Sequence, residues 1–155
     1  MATYRHILLV DDDEYDQVFF QTVAKSLSGD VKCTALCDAD VALQKLQTKE
    51  IEPDIIFIES DLPAMNSKDF LAEVKKEDEL KNIPVIIFTA HFDPLLVEET
   101  KALGADNFII KPNRYSELKR ILSTLILWFW WKMALYILCH MELTSIGKLC
   151  GIDGV

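Results

Sequence analysis

The chain alternates between short apolar runs and longer segments whose apolar residues recur at helical spacing. Arg5 to Val10, Val31 to Leu36, Pro53 to Ile58, Pro84 to Thr89 and Asp106 to Ile110 are the apolar runs. Apart from the second, which alternates, they are apolar on consecutive positions, as expected of strands buried on both faces of a parallel sheet. Between them lie amphipathic segments. Asp13 is placed to cap the first, with Asp16 where a capping-box partner would sit, and Val18, Phe19, Val23 and Leu27 form its inward stripe. Ser28-Gly29-Asp30 ends it. Asp38 to Lys49 predicts a second helix with Val41, Leu43 and Leu46 inward. Ser67 is placed as the cap of a third helix that runs to Lys76 and turns Phe70, Leu71 and Val74 inward. Asp93 to Leu103 predicts a fourth, closed by Gly104, and a fifth begins at Arg114 with Leu118, Ile121, Leu122 and Leu125 on its packing side. Five strands alternating with five helices imply right-handed βαβ units, an α/β fold and a doubly wound parallel sheet.

Length and charge narrow this further. A chain of 155 residues is one domain of ordinary size, with room for an appendage. It can bury roughly 68–70% of its unfolded surface without disulfides or a structural metal. A net charge of −9 opposes non-specific nucleic-acid binding, which needs cations to replace counterions. The cysteines, Cys33, Cys37, Cys139 and Cys150, have no C-x-x-C or zinc spacing and fit thiols of a reducing cytoplasm. The first residues run directly into a strand without a signal-peptide layout.

Candidate chemistry collects at the strand ends. Ligand sites of open α/β sheets lie at the carboxyl ends of the strands. Asp11 and Asp12 follow the first strand, Glu59 ends the third, Thr89 the fourth and Lys111 the fifth. Three carboxylates in one pocket repel each other, and a hard divalent cation removes that cost. Magnesium suits the set, since it uses few carboxylates and keeps several waters. A hydroxyl from Thr89 and an ammonium from Lys111 suit the oxygens of a phosphoryl group.

Val10-Asp11-Asp12, the stretch from Pro53 to Pro63, Phe88-Thr89-Ala90 and Ile110-Lys111-Pro112 resemble the receiver domains of two-component response regulators. The resemblance spans about residues 4 to 125, so we place a receiver domain over 1–125 and an apolar extension over 126–155. It implies a flavodoxin-like sheet of order 2-1-3-4-5, and a non-enzymatic cytoplasmic signalling module that takes phosphate from a sensor histidine kinase or another phosphorelay protein. By this resemblance Asp11, Asp12 and Glu59 would hold magnesium, with Asp61 adding a backbone carbonyl. Thr89 would be the switching hydroxyl, Lys111 would contact the phosphoryl group before an often-cis Lys-Pro bond, and Phe108 would be the switch aromatic or plain core.

Two positions depart from the family. Asn66-Ser67 stands where Asp-Gly is usual, and Glu59 stands where the acceptor aspartate is expected. Glutamate keeps the charge but carries it about one bond length further out, to where a phosphoryl group would begin. Phosphotransfer needs placement within a fraction of an ångström. Three readings follow: Glu59 mimics the phosphorylated state, the domain is an unswitched interaction module, or phosphorylation persists on Glu59 or moves to an acid such as Asp61.

A rival class is a haloacid-dehalogenase-like, magnesium-dependent phosphatase, with Asp11 as nucleophile and Asp13 as general acid/base. It expects Thr or Val where Tyr15 stands, and a further acidic pair after Lys111 that is missing. Past the fifth helix, Ile121 to Cys139 is almost wholly apolar, about long enough to cross a bilayer. Lys132 in its middle would cost ~3 kcal/mol at a bilayer centre. An extended last helix used for homodimerisation is favoured over a membrane anchor or a stretch with no selected role.

Overall fold

A computed structural model of the chain describes residues 6–27 and 31–125. Nine elements have both ends within these residues: β1 (His6–Val10), α1 (Glu14–Lys25), β2 (Lys32–Leu36), α2 (Ala39–Gln47), β3 (Ile55–Ile58), α3 (Ser67–Lys76), β4 (Val85–Thr89), α4 (Pro94–Ala102) and β5 (Asn107–Ile110). A further helix, α5, covers 115–125. The strands form one parallel sheet of order β2-β1-β3-β4-β5, as expected. The expected tail helix, its self-association and the turn at Ser28–Asp30 lie outside the described residues. Among the described residues, no helix is long and apolar enough to cross a membrane.

The period-2 alternation of the central strands divides the core. Leu8, Val10, Ile56, Ile58, Val85 and Ile87 point to the face covered by α2 and α3. Ile7, Leu9, Ile55, Phe57, Ile86 and Phe88 point to the face covered by α1 and α5. On that second face Phe20, Phe57 and Phe88 meet edge to face with centroids 5.0, 5.4 and 5.8 Å apart, the arrangement aromatic quadrupoles prefer. The edge strands β2 and β5 are only half-buried.

Several local expectations are corrected. On α1 the buried positions are Phe20, Val23 and Ala24, and Val18 is 58% exposed. Val18-Phe19-Phe20 covers most of a helical turn, so the pattern allows two faces; the one chosen brings small Ala24 against the sheet. Likewise α2 buries Ala39, Ala42, Leu43 and Leu46 and leaves Val41 exposed. Asn66, not Ser67, caps α3, its Oδ1 accepting from the amides of Lys68 and Asp69. Asp13 caps α1 as expected, accepting from Tyr15 and Asp16, but the Asp16 side chain leaves the helix for a tertiary partner. Gly104 closes α4 at φ +99°, with Ala105 N–H bonding Thr100 O and Gly104 N–H bonding Lys101 O, the Schellman arrangement.

Candidate functional site

The sheet ladder extends one residue past the strands and fixes the site backbone. Asp11 N–H bonds Leu36 O at 2.9 Å, Glu59 N–H bonds Val10 O at 2.9 Å, and Lys111 N–H bonds Thr89 O at 2.8 Å. Three side chains from three strand ends thereby converge. Lys111 Nζ lies 2.7 Å from Asp11 Oδ2, 2.6 Å from Glu59 Oε2 and 2.8 Å from Asp16 Oδ2. The Lys111 side chain is 11% exposed, Glu59 11% and Asp11 1%. Its ammonium also stands 5.9 Å from the centre of the Phe88 ring.

The two buried carboxylates respond differently to the same ammonium. Burial pushes both upward. At Glu59 the Lys111 ammonium, aided by the Ser60 hydroxyl and by Thr89 behind it, outweighs burial and holds the carboxyl below its ordinary value. At Asp11 burial wins and the carboxyl is raised, because beyond Lys111 its support is the single Asp13 amide, which donates to Oδ1 at 3.0 Å. Asp11 Oδ2 is buried without a bond of hydrogen-bonding geometry, so its contact with Lys111 is one of charge alone. For Lys111, burial works downward but the three carboxylates at contact distance raise it well above the ordinary lysine value.

A relay of hydroxyls links Glu59 to Thr89. Ser60 N–H and Ser60 Oγ both donate to Glu59 Oε1, at 2.6 and 2.9 Å. Ser60 Oγ and Thr89 Oγ1 are 2.8 Å apart, and both residues are buried. A hydroxyl carries one proton and an ionised carboxylate only accepts. Ser60 spends its proton on Glu59, so Thr89 donates to Ser60, while His91 N–H donates to Thr89 Oγ1 at 3.3 Å. The direction of the chain is fixed: Thr89 to Ser60 to Glu59.

The predicted site residues divide accordingly. Asp11, Glu59 and Lys111 are in contact, and Thr89 joins them through Ser60. Asp12 and Asp61 are exposed and contribute no side-chain hydrogen bond or ion pair among the described residues. Phe108 is half-buried, packs on the α2–α3 side of the core and meets Phe92 edge-on at 6.4 Å. The bond before Pro112 is trans, since no cis peptide occurs among the described residues. Sequence reasoning missed Asp16 and Ser60. Asp16 was assigned to its own helix, and nothing local marks Ser60.

The acceptors facing the pocket are all oxygens, the set a hard divalent cation takes, and Asp11 Oδ2 is a buried acceptor with capacity to spare. Yet no group of three acidic, histidine or cysteine side chains among the described residues is spaced to ligate an ion. The site fits a cation held by few carboxylates and completed by water.

A family model of the response regulator receiver domain matches residues 7–123. The chain belongs to the response regulator receiver family. It is 31% identical over 115 residues to the two-component response regulator-like protein APRR3 of Arabidopsis thaliana, covering 74% of this chain and 23% of that protein. With the two-component response regulator ORR11 of Oryza sativa subsp. indica it shares 30% identity over 123 residues, 78% of this chain and 80% of that one. Among solved structures, the Mn(2+)-bound response regulator Rcp1 superposes with a TM-score of 0.72 at 26% identity, covering 79% of this chain and 94% of that one. Chemotaxis response regulator CheY4 of Vibrio cholerae, at 24% identity and a TM-score of 0.69, shares the fold over 79% of this chain and 98% of its own. Receiver domains are in general non-enzymatic modules of two-component systems that meet histidine kinases or phosphorelay proteins and bind a divalent cation at the phosphorylation site.

Proposed function

We propose that this receiver domain is held in a phosphorylated-like state by Glu59, standing at the acceptor position. The observation that carries this reading is the pair of contacts on its carboxylate. Oε2 lies on Lys111, and Oε1 draws the Thr89 hydroxyl inward through Ser60. These are the two partners that the family would offer to a phosphoryl group. One methylene more than aspartate carries the charge towards them. The downstream signal passes by protein contact, and the upstream partner is a histidine kinase or phosphorelay protein.

Asp11, Asp12 and Glu59, with the Asp61 carbonyl, would hold magnesium, which when bound neutralises the acidic pocket. Asp13, the general acid/base of the phosphatase reading, spends Oδ1 on the amides of Tyr15 and Asp16, which favours the receiver reading over it.

Intact-mass measurement after incubation with acetyl phosphate and magnesium tests the proposal. The expected result is no mass gain on this chain and one phosphoryl group on Glu59→Asp. A phosphoryl group mapped to Glu59 in the unaltered chain would overturn it.

A further inference from the structure

We propose that Asp16 is the holding position of the Lys111 ammonium when a divalent cation takes the Asp11 and Glu59 carboxylates. This rests on the divalent-cation reading above. The ammonium lies on Asp11 Oδ2 and Glu59 Oε2, while the other oxygen of each carboxylate accepts from Asp13 N–H or from Ser60, so an entering cation would meet the ammonium at these two atoms. Two cations cannot share them at contact distance. A lysine whose side chain is 11% exposed has no free path to water, so it needs another carboxylate within reach.

Asp16 meets that need. Its Oδ2 is 2.8 Å from Lys111 Nζ, and of the three contacts this one alone has hydrogen-bond geometry. The ammonium therefore already directs its bond to Asp16 and touches the other two by charge. Asp16 sits in the first turn of α1, where the helix dipole favours a carboxylate, and its side chain is 43% exposed. When the ammonium gives up Asp11 and Glu59 it stays paired on Asp16. Glu59 Oε1 keeps its two bonds from Ser60 throughout, so the exchange on Oε2 leaves the relay to Thr89 intact.

A double-mutant cycle read by calorimetric titration with Mn2+ tests this on the full chain, Asp16→Asn, Lys111→Met and the double variant. Asp16→Asn should weaken Mn2+ binding about tenfold, the low end for outer partners of a metal site. Lys111→Met should strengthen it by removing the competitor. In the Lys111→Met background, Asp16→Asn should cause no further loss, since there is no ammonium to hold. Asp16→Glu, which keeps a carboxylate at the same surface position, should bind Mn2+ as the unaltered chain does, and a cooperative denaturant transition of Lys111→Met and of the double variant shows that the lysine variants are folded. An equal loss from Asp16→Asn in both backgrounds would mean that Asp16 acts only as one more negative charge, and would overturn the proposal while the cation reading stands. No Mn2+ binding by the unaltered chain at millimolar metal would overturn both.

Discussion

Helices α3 and α4 are neighbours but are held in opposite ways. α3 buries Ser67, Phe70, Leu71 and Val74 and is tied down at its far end by Lys75. The ammonium of Lys75 donates to Lys81 O, Ile83 O and Asp106 Oδ2, and Asp106 in turn accepts from Val85 N–H at the start of β4. α4 buries one residue, Thr100, whose hydroxyl returns to the helix's own Leu96 and Val97 carbonyls. Its link to α3 is the pair Lys68–Glu99, with both side chains 40% or more exposed, which contributes little in water. Leu95 on α4, Leu103 at its C-cap and Phe92 before it stay exposed. Few buried contacts mark the low-stability end of a structure, from which moving elements are drawn. The loosely held helix begins at Pro94, after the short loop that follows Thr89.

The largest effect separates the two helices directly. Phe70→Ala should cost ~3–5 kcal/mol, because the side chain is fully buried and leaves a cavity. Leu95→Ala, at a position 61% exposed, should stay within ~0.5 kcal/mol. Denaturant midpoints measure both. A comparable loss from Leu95→Ala would show α4 packed as firmly as α3 and remove the contrast.

Next comes the charged pocket at the strand ends, whose ion pairs come from neither helix. Lys111→Met strands the charges of Asp11 and Glu59 away from water and should cost about 3 kcal/mol, the lower bound for breaking a buried pair. Adding Glu59→Gln to that variant should recover part of the loss, since it removes one stranded charge. No recovery in denaturant unfolding would place the cost elsewhere than in this charge contact.

Much of this was legible in the sequence. All five strands were found, because strands buried on one or both faces are short apolar runs with abrupt ends. Asp11, Glu59, Thr89 and Lys111 were placed at those ends by the same boundaries. The inward faces of α1 and α2 were legible in part: Phe19, Val23, Leu27, Leu43 and Leu46 do pack on the core, but Val18 and Val41 do not, and Ala24, Ala39 and Ala42, weak hydrophobic signals, mark the close approach to the sheet. The unequal burial of α3 and α4 was invisible. By composition α4, with Leu95-Leu96-Val97, is the more apolar at its start, yet those consecutive residues cannot share one face. Asp16 was hidden for another reason: its partner lies 95 residues away, and no local pattern reports that.

The helix caps test the contrast at a smaller scale. Asn66→Ala on α3 and Asp93→Ala on α4 each remove side-chain bonds to first-turn amides and should cost ~1 kcal/mol locally. On α3 the cost should appear in global unfolding. On α4 it should appear as faster amide exchange of 95–102 through local opening, with a smaller shift of the global midpoint. Equal global shifts from both variants would mean that α4 unfolds only with the whole domain.

The smallest effect uses a probe far from either helix. His6 begins β1, with Nε2 2.8 Å from Thr34 Oγ1 and Nδ1 3.2 Å from Glu52 O. Burial, with help from Lys32, lowers its pKa below 6.5, although the Glu52 carbonyl and Asp54 act in the other direction. The unfolded chain then binds the proton more readily than the folded one. Stability from the neutral ring is full above 6.5 and is lost as pH falls through the lowered folded value. Comparing the chain with His6→Gln one pH unit above and two below 6.5 should show the larger loss in the unaltered chain, by denaturant midpoint. Because this loss belongs to global unfolding, the protection of α3 amides should fall with it. Protection of α4 amides, once corrected for intrinsic exchange, should differ little between the two proteins, because a local opening leaves β1 and its histidine folded. Parallel falls in both helices would erase the distinction between them.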